Sequence, residues 1–128
     1  MEGETKRPTP VRIALVTDDG ETISNHFGQA SAYRVIQIED GRRTDLGTRP
    51  KAHHGQGEHQ PSLHGSMLEP IADCQVLIAG GMGAPAWEKA RGAGLEVILA
   101  GGKIDEALTG YASGALASDE RRLHQHRH

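Results

Sequence analysis

The chain has 128 residues, enough for one domain with a real core and too few for two ordinary ones. Its 14 Lys and Arg against 17 Asp and Glu leave a formal charge of -3, and its aromatics are only Phe27, Tyr33, Trp87 and Tyr111. That excludes both a basic field for a phosphate backbone and a stacking platform for single strands, so no nucleic-acid partner is expected.

One cysteine, Cys74, excludes an internal disulfide framework and a cluster held by four thiolates of one chain. The opening MEGETKRPTP lacks the apolar core of a secretory signal, and no run approaches the roughly 18 apolar residues that span a bilayer. A cytoplasmic chain without membrane contact is the expectation. Eight histidines are the unusual feature, and they are unevenly spread.

Residues 1–10 read as a disordered leader. Val11, Ile13, Leu15 and Val16, with Ala14 between them, form a nearly continuous apolar run that suits a strand covered on both faces. Asp18-Asp19-Gly20 is a turn, and Tyr33 to Ile38 has the alternation of a second strand. Asp40-Gly41 is a short-hairpin signal, predicting a third strand at about Arg43 to Arg49.

The stretch from Pro50 to Pro61, PKAHHGQGEHQP, has nothing to bury and reads as a histidine-rich loop. Ser62 caps a predicted helix whose apolar positions Leu63, Met67, Leu68 and Ile71 recur near the helical period, ending around Asp73. Cys74 to Ala79 is a second buried-type strand, closed by Gly80-Gly81-Met82-Gly83. Pro85 opens a helix to about Arg91, and Gly92-Ala93-Gly94 stops it. Leu95 to Leu99 is the last strand, and Ile104, Ala107, Leu108 and Tyr111 mark one side of a final helix. The tail, residues 118–128, is polar and reads as frayed.

The order β-β-β-α-β-α-β-α predicts a single layered α/β domain over residues 11–117. Its five-stranded mixed sheet has the order 3-2-1-4-5 with strand 2 antiparallel. Such a sheet has a topological switch point between strands 1 and 4, and open α/β sheets bind ligands at the carboxyl ends of strands there. His26, in SNHFGQA, lies just past the carboxyl end of strand 1.

Strand 3 runs parallel to strand 1 in this topology, so His53 and His54 leave the sheet at the same edge, with His59 and His64 further along the loop. The Gly80 to Gly83 turn and the amino end of its helix arrive there too, offering N–H groups to an anion. An anionic metal cluster, or a metal with soft and imidazole ligands, suits such a rim better than a hard cation.

The residues alone leave two readings of His26 open: a turn histidine bonded to its own backbone, or a side chain presented to a ligand. The spacing H-H-x4-H-x4-H matches no tetrahedral zinc motif. GGMGAP lacks the Lys-Ser/Thr end of a P-loop. Asp18 and Asp19 raise a two-metal nuclease, but no partner carboxylates fall on that edge, and a turn is the better account. Cys74 begins strand 4, six residues of roughly 3.3 Å each from the edge that holds His26, and reads as a small buried apolar residue.

The stretch RIALVTDDGETISNHFGQASAYRVIQIEDG, a histidine-rich loop, and then MLEPIADCQVLIAGGMGAPAWEKARGAGLEVIL resemble the dinitrogenase iron-molybdenum cofactor biosynthesis family, whose members include nitrogenase accessory factors. The resemblance covers about residues 11–116. It implies a three-layer ribonuclease H-like α/β motif with the sheet order above. It also implies a role in binding or carrying iron-molybdenum cofactor or iron-sulfur precursors, with His26 as a ligand of the cluster. An imidazole can hold one metal of a preassembled cluster, whose own sulfides replace protein thiolates.

The leading expectation is a non-enzymatic metallocluster carrier, monomer or homodimer, that exchanges cargo with donor and acceptor proteins. His26 would be a direct ligand, His53, His54, His59 and His64 additional ligands, and Gly80, Gly81, Met82 and Gly83 the cofactor-facing turn. The alternative is a buffer or sensor of divalent Zn, Ni or Cu using the histidine-rich loop.

Overall fold

The computed structural model describes residues 10–50 and 68–124, apart from the side chains of residues 120 and 124. The apolar run becomes β1 (Val11–Thr17), and its alternation divides it between two cores. Ala14 and Val16 join the core on one face of the sheet, while Val11, Ile13 and Leu15 join the core on the other. The same parity holds in β3 (Ala32–Glu39), where Tyr33 and Val35 face one core and Ile36 and Ile38 the other. It holds again in β5 (Val76–Ala79), with Leu77 and Ala79 opposite Val76 and Ile78. A strand with no polar face must be covered on both sides, and here it is.

The covers are single helices. α1 (Ala84–Gly92) lays Ala86, Trp87 and Ala90 on the first core. α2 (Ile104–Ser113) buries Ile104, Ala107, Leu108 and Tyr111, spaced i, i+3, i+4, i+7, in the second. Leu99, Leu108 and their like are almost fully buried, each contributing about 1.5–3 kcal/mol of apolar transfer. Three layers result, as the sequence predicts.

Counting the two-residue strands β2 (Thr22–Ile23) and β6 (Met82–Gly83), the main sheet has the order β4-β3-β1-β5-β7, with β4 at Arg42–Pro50 and β7 at Glu96–Leu99. The numbers differ from the expected 3-2-1-4-5 because β2 and β6 lie outside this sheet and shift the count. Taken in chain order, its five strands keep the expected placement. β3 is antiparallel to β1 and β4, while β1, β5 and β7 are parallel.

Three details depart from expectation. β4 carries a bulge, with Leu46 inserted between Asp45 and Gly47, the latter at φ 95°. The part of the predicted 62–73 helix that is described forms only a 3-10 turn, Glu69–Ile71, led by Leu68 and carrying Pro70 in its first positions. Asp73 then ties this segment to two strands, accepting from Arg12 Nη1 and Arg49 Nη1, both at 2.7 Å.

The third departure is the tail. Residues up to His124 are docked, not frayed: Asp119 N donates to Leu99 O at 2.8 Å, Leu99 N donates to Ser118 Oγ at 2.9 Å, and β9 (Leu123–His124) pairs parallel with β6. The tail thereby covers the end of edge strand β7. β8 (Gly102–Lys103) pairs with β2.

Candidate functional site

The switch point falls between β1 and β5, and the loop after β1 is ordered by its own short polar side chains. The buried Thr17 hydroxyl donates to Thr22 O at 2.7 Å and accepts from Gly20 N at 2.9 Å. Asp19 accepts from Thr22 N at 2.8 Å and Glu21 N at 2.9 Å, with the Thr22 hydroxyl at 3.0 Å. Those bonds, the Thr22 amide first, hold its carboxyl down at about 2. Asp18 accepts from Ser31 N at 2.9 Å. Both carboxylates are engaged in the loop itself, which supports the turn reading over the nuclease one.

The next residues form a helical turn. Ser24 Oγ accepts from His26 N at 3.1 Å, and His26 O accepts from Gln29 N and Ala30 N, both at 3.0 Å. Phe27 is 3 % exposed, its ring centroid 6.3 Å from that of Tyr33 at an angle of 50°. With the neighbouring phenyl pinned in the core, the His26 side chain is exposed at the rim.

The Gly80 turn meets this loop directly. Gly80 N donates to Ser24 O at 2.8 Å and Phe27 N donates to Gly81 O at 2.9 Å. A Cβ on Gly80 would lie 2.6 Å from Ser24 O and 2.7 Å from Asn25 Oδ1, so glycine is required by the close approach of two backbones. The expected convergence of SNHFGQA and GGMG is thus present, with a narrower role for the second. The Gly80 amide is spent on Ser24, Met82 is buried at 1 % exposure, and Gly83 is extended ahead of α1.

The backbone also delivers β4 to this edge, because Pro50 pairs with Ala32, which pairs with Thr17. His53, His54, His59 and His64 lie outside the described residues. Among the described residues no group of three or more His, Cys, Asp or Glu could hold a metal ion. Cys74 precedes the amino end of β5, whereas Gly80 follows its carboxyl end. It is a buried free thiol, and burial first, then the adjacent Asp73 carboxylate, pushes it up to about 11. That is the inert small apolar residue expected.

One polar group at the rim escapes sequence reasoning. Arg122, in the docked tail, donates from Nη1 to Gly80 O at 3.1 Å. The guanidinium lies against Gly101, and a glycine there is the signal that a close neighbour passes.

Residues 9–114 match the family described as dinitrogenase iron-molybdenum cofactor. The chain belongs to this family. No curated protein matches the sequence. Solved structures share the fold at low identity. A Methanocaldococcus jannaschii protein named provisionally as a dinitrogenase is 16% identical with a TM-score of 0.64, covering 88% of this chain and 97% of that one. The apo orange protein of Desulfovibrio gigas is 20% identical with a TM-score of 0.60, over 88% and 96%. A Thermotoga protein assigned provisionally as NifB is 23% identical with a TM-score of 0.57, over 84% and 92%. No helix among the described residues is long and apolar enough to cross a membrane.

Proposed function

We propose that this member of the family is a non-enzymatic, cytoplasmic carrier of an iron-molybdenum or iron-sulfur type cluster, on a sheet of the ribonuclease H-like kind. Donor and acceptor proteins supply and receive the cargo. The observation that carries the reading is the exposed His26 imidazole, set at the switch point on a turn braced by Ser24, Phe27 and the Gly80 backbone.

The donor set fits a preassembled cluster. Such a cargo brings its own sulfides and lacks only a terminal ligand, which an imidazole provides. The inert thiol on the far side of β5 fits no cluster that needs protein sulfur. An exposed single ligand also suits release, since little order is lost when the cargo leaves.

The test is anaerobic titration of the full chain with isolated iron-molybdenum cofactor, a simple iron-sulfur cluster, and Zn, Ni and Cu ions. Wild type binds a cluster, and His26→Ala weakens it at least about a hundredfold, the scale on which even indirect ligand partners act. Cluster binding that persists in His26→Ala overturns the ligand. Divalent-ion binding alone, lost when His53, His54, His59 and His64 are replaced, replaces the carrier with a metal buffer.

A further inference from the structure

The family match ends at residue 114, and the chain that follows returns to the rim. Glu120–Arg122 form a short 3-10 turn, and β9 then lies along β6, which fixes where Arg122 points. Its Nη1 bonds Gly80 O, on the residue whose amide holds Ser24 O. The guanidinium lies on Gly101, where a Cβ would stand 2.9 Å from Nη1 and 3.2 Å from Cζ. Gly101 thus makes room for the cation, and the Gly80 carbonyl holds it.

Arg122 shares one carboxylate with its neighbour. Asp119 accepts from Arg121, from its backbone N and from Nε, both at 3.0 Å, and pairs more loosely with Arg122 Nε at 3.8 Å, so two guanidiniums face one carboxylate and a net positive charge is left. Arg122 uses one donor on Gly80 and its side chain remains 38% exposed. A guanidinium has five N–H donors, so the bond to Gly80 leaves capacity for further ones. The same edge carries the carboxylates of Asp18 and Asp19, which repel an anion.

We propose that Arg122 is an anion-holding residue of the His26 site, supplying the positive charge that a sulfide-bearing metal anion needs beside two carboxylates. The inference rests on the carrier reading above. Imidazole and guanidinium divide the work: one ligates metal, the other bonds the anionic periphery.

The test uses the full chain, Arg122→Gln and Arg122→Lys, titrated anaerobically with isolated iron-molybdenum cofactor and separately with tetrathiomolybdate, a small sulfur-bound dianion. Titrations run at about 0.05 M and about 0.5 M NaCl, between which the screening length falls severalfold. Arg122→Gln should weaken both probes about tenfold at low salt and flatten the salt dependence, while Arg122→Lys stays within about threefold of wild type. Hydrogen exchange at the Leu99 and Asp119 amides should stay slow in all three proteins.

Unchanged affinity and salt dependence in Arg122→Gln overturns the proposal. So does a loss accompanied by fast exchange at Leu99 and Asp119, which makes Arg122 only a tether of the tail. If wild type binds tetrathiomolybdate but no cluster, the carrier reading falls while Arg122 is still judged on the dianion. If it binds neither, both fall.

Discussion

At the carboxyl end of β1 and β5 the loops are joined main chain to main chain, whereas at the amino end a network of side chains is added to the main-chain bond from Gln75 N to Arg12 O. Ser24, Phe27, Gly80 and Gly81 share two backbone hydrogen bonds, with the His26 side chain exposed above them. Below, Arg12 donates to Gln37 at 2.9 Å and Asp73 at 2.7 Å, Arg12 N donates to the Gln75 side chain at 2.8 Å, and Asp73 reaches on to Arg49. A region whose guanidiniums and carboxylates neutralise one another offers little charge to a ligand, whereas a region braced by its backbone can be firm and still hold a side chain such as His26 at the surface.

The largest effect that would break this contrast is steric. Gly80→Ala forces a methyl against Ser24 O, which is backbone and cannot swing aside. We expect a loss of about 1–3 kcal/mol in urea unfolding, the usual scale of overpacking, together with weaker cluster binding although His26 is untouched. Stability and binding both unchanged would mean that the two loops are not one unit.

Much of this arrangement is legible in the sequence because it rests on strong local signals. Asp40 and Gly41 adopt φ 53° and 81°, the pair of positive values that an Asp-Gly hairpin demands. The period-2 division of β1 and the i, i+3, i+4, i+7 face of α2 are equally direct. The tail is different. Between Ala115 and His124 only Leu116 and Leu123 are large and apolar, and docking comes from Ser118, Asp119 and Arg122 bonding main-chain atoms far away in the chain. Such bonds leave no periodicity. The bulge at Leu46 had its signal in Gly47, a glycine inside a strand. The helical period near Leu68 and Ile71 was outweighed locally by Pro70 within the turn.

The amino end should respond more mildly. Asp73→Asn removes the charge shared by two guanidiniums, but the Asp73 side chain is 40% exposed, so we expect about 0.5–1 kcal/mol. The Arg49 hydrogen bond, opposed by some burial, leads in holding the Asp73 pKa below its usual 3.8. A depressed folded value means the contribution is complete above 3.8 and lost as pH falls through the folded value. The gap between wild type and Asp73→Asn in unfolding free energy should therefore be constant at neutral pH and close below about pH 3.8. Cluster affinity at neutral pH should not move; a loss there would show that the two ends are coupled.

The smallest expected effect sharpens the contrast most. Cys74→Ala should leave cluster affinity within about twofold of wild type, since the thiol sits before β5 and its exposed surface is 8 % of the residue's total. Its folded pKa of about 11 lies above the ordinary 9.0, so folding is favoured by the neutral thiol below pH 9 and loses that contribution as pH rises through 11. Unfolding measured between these values should show wild type weakening more than Cys74→Ala. Iodoacetamide should likewise alkylate the native thiol far more slowly than the urea-unfolded one. Fast native alkylation, or cargo binding that vanishes with Cys74, would move the reactive end of the molecule from His26 to the opposite edge of the sheet.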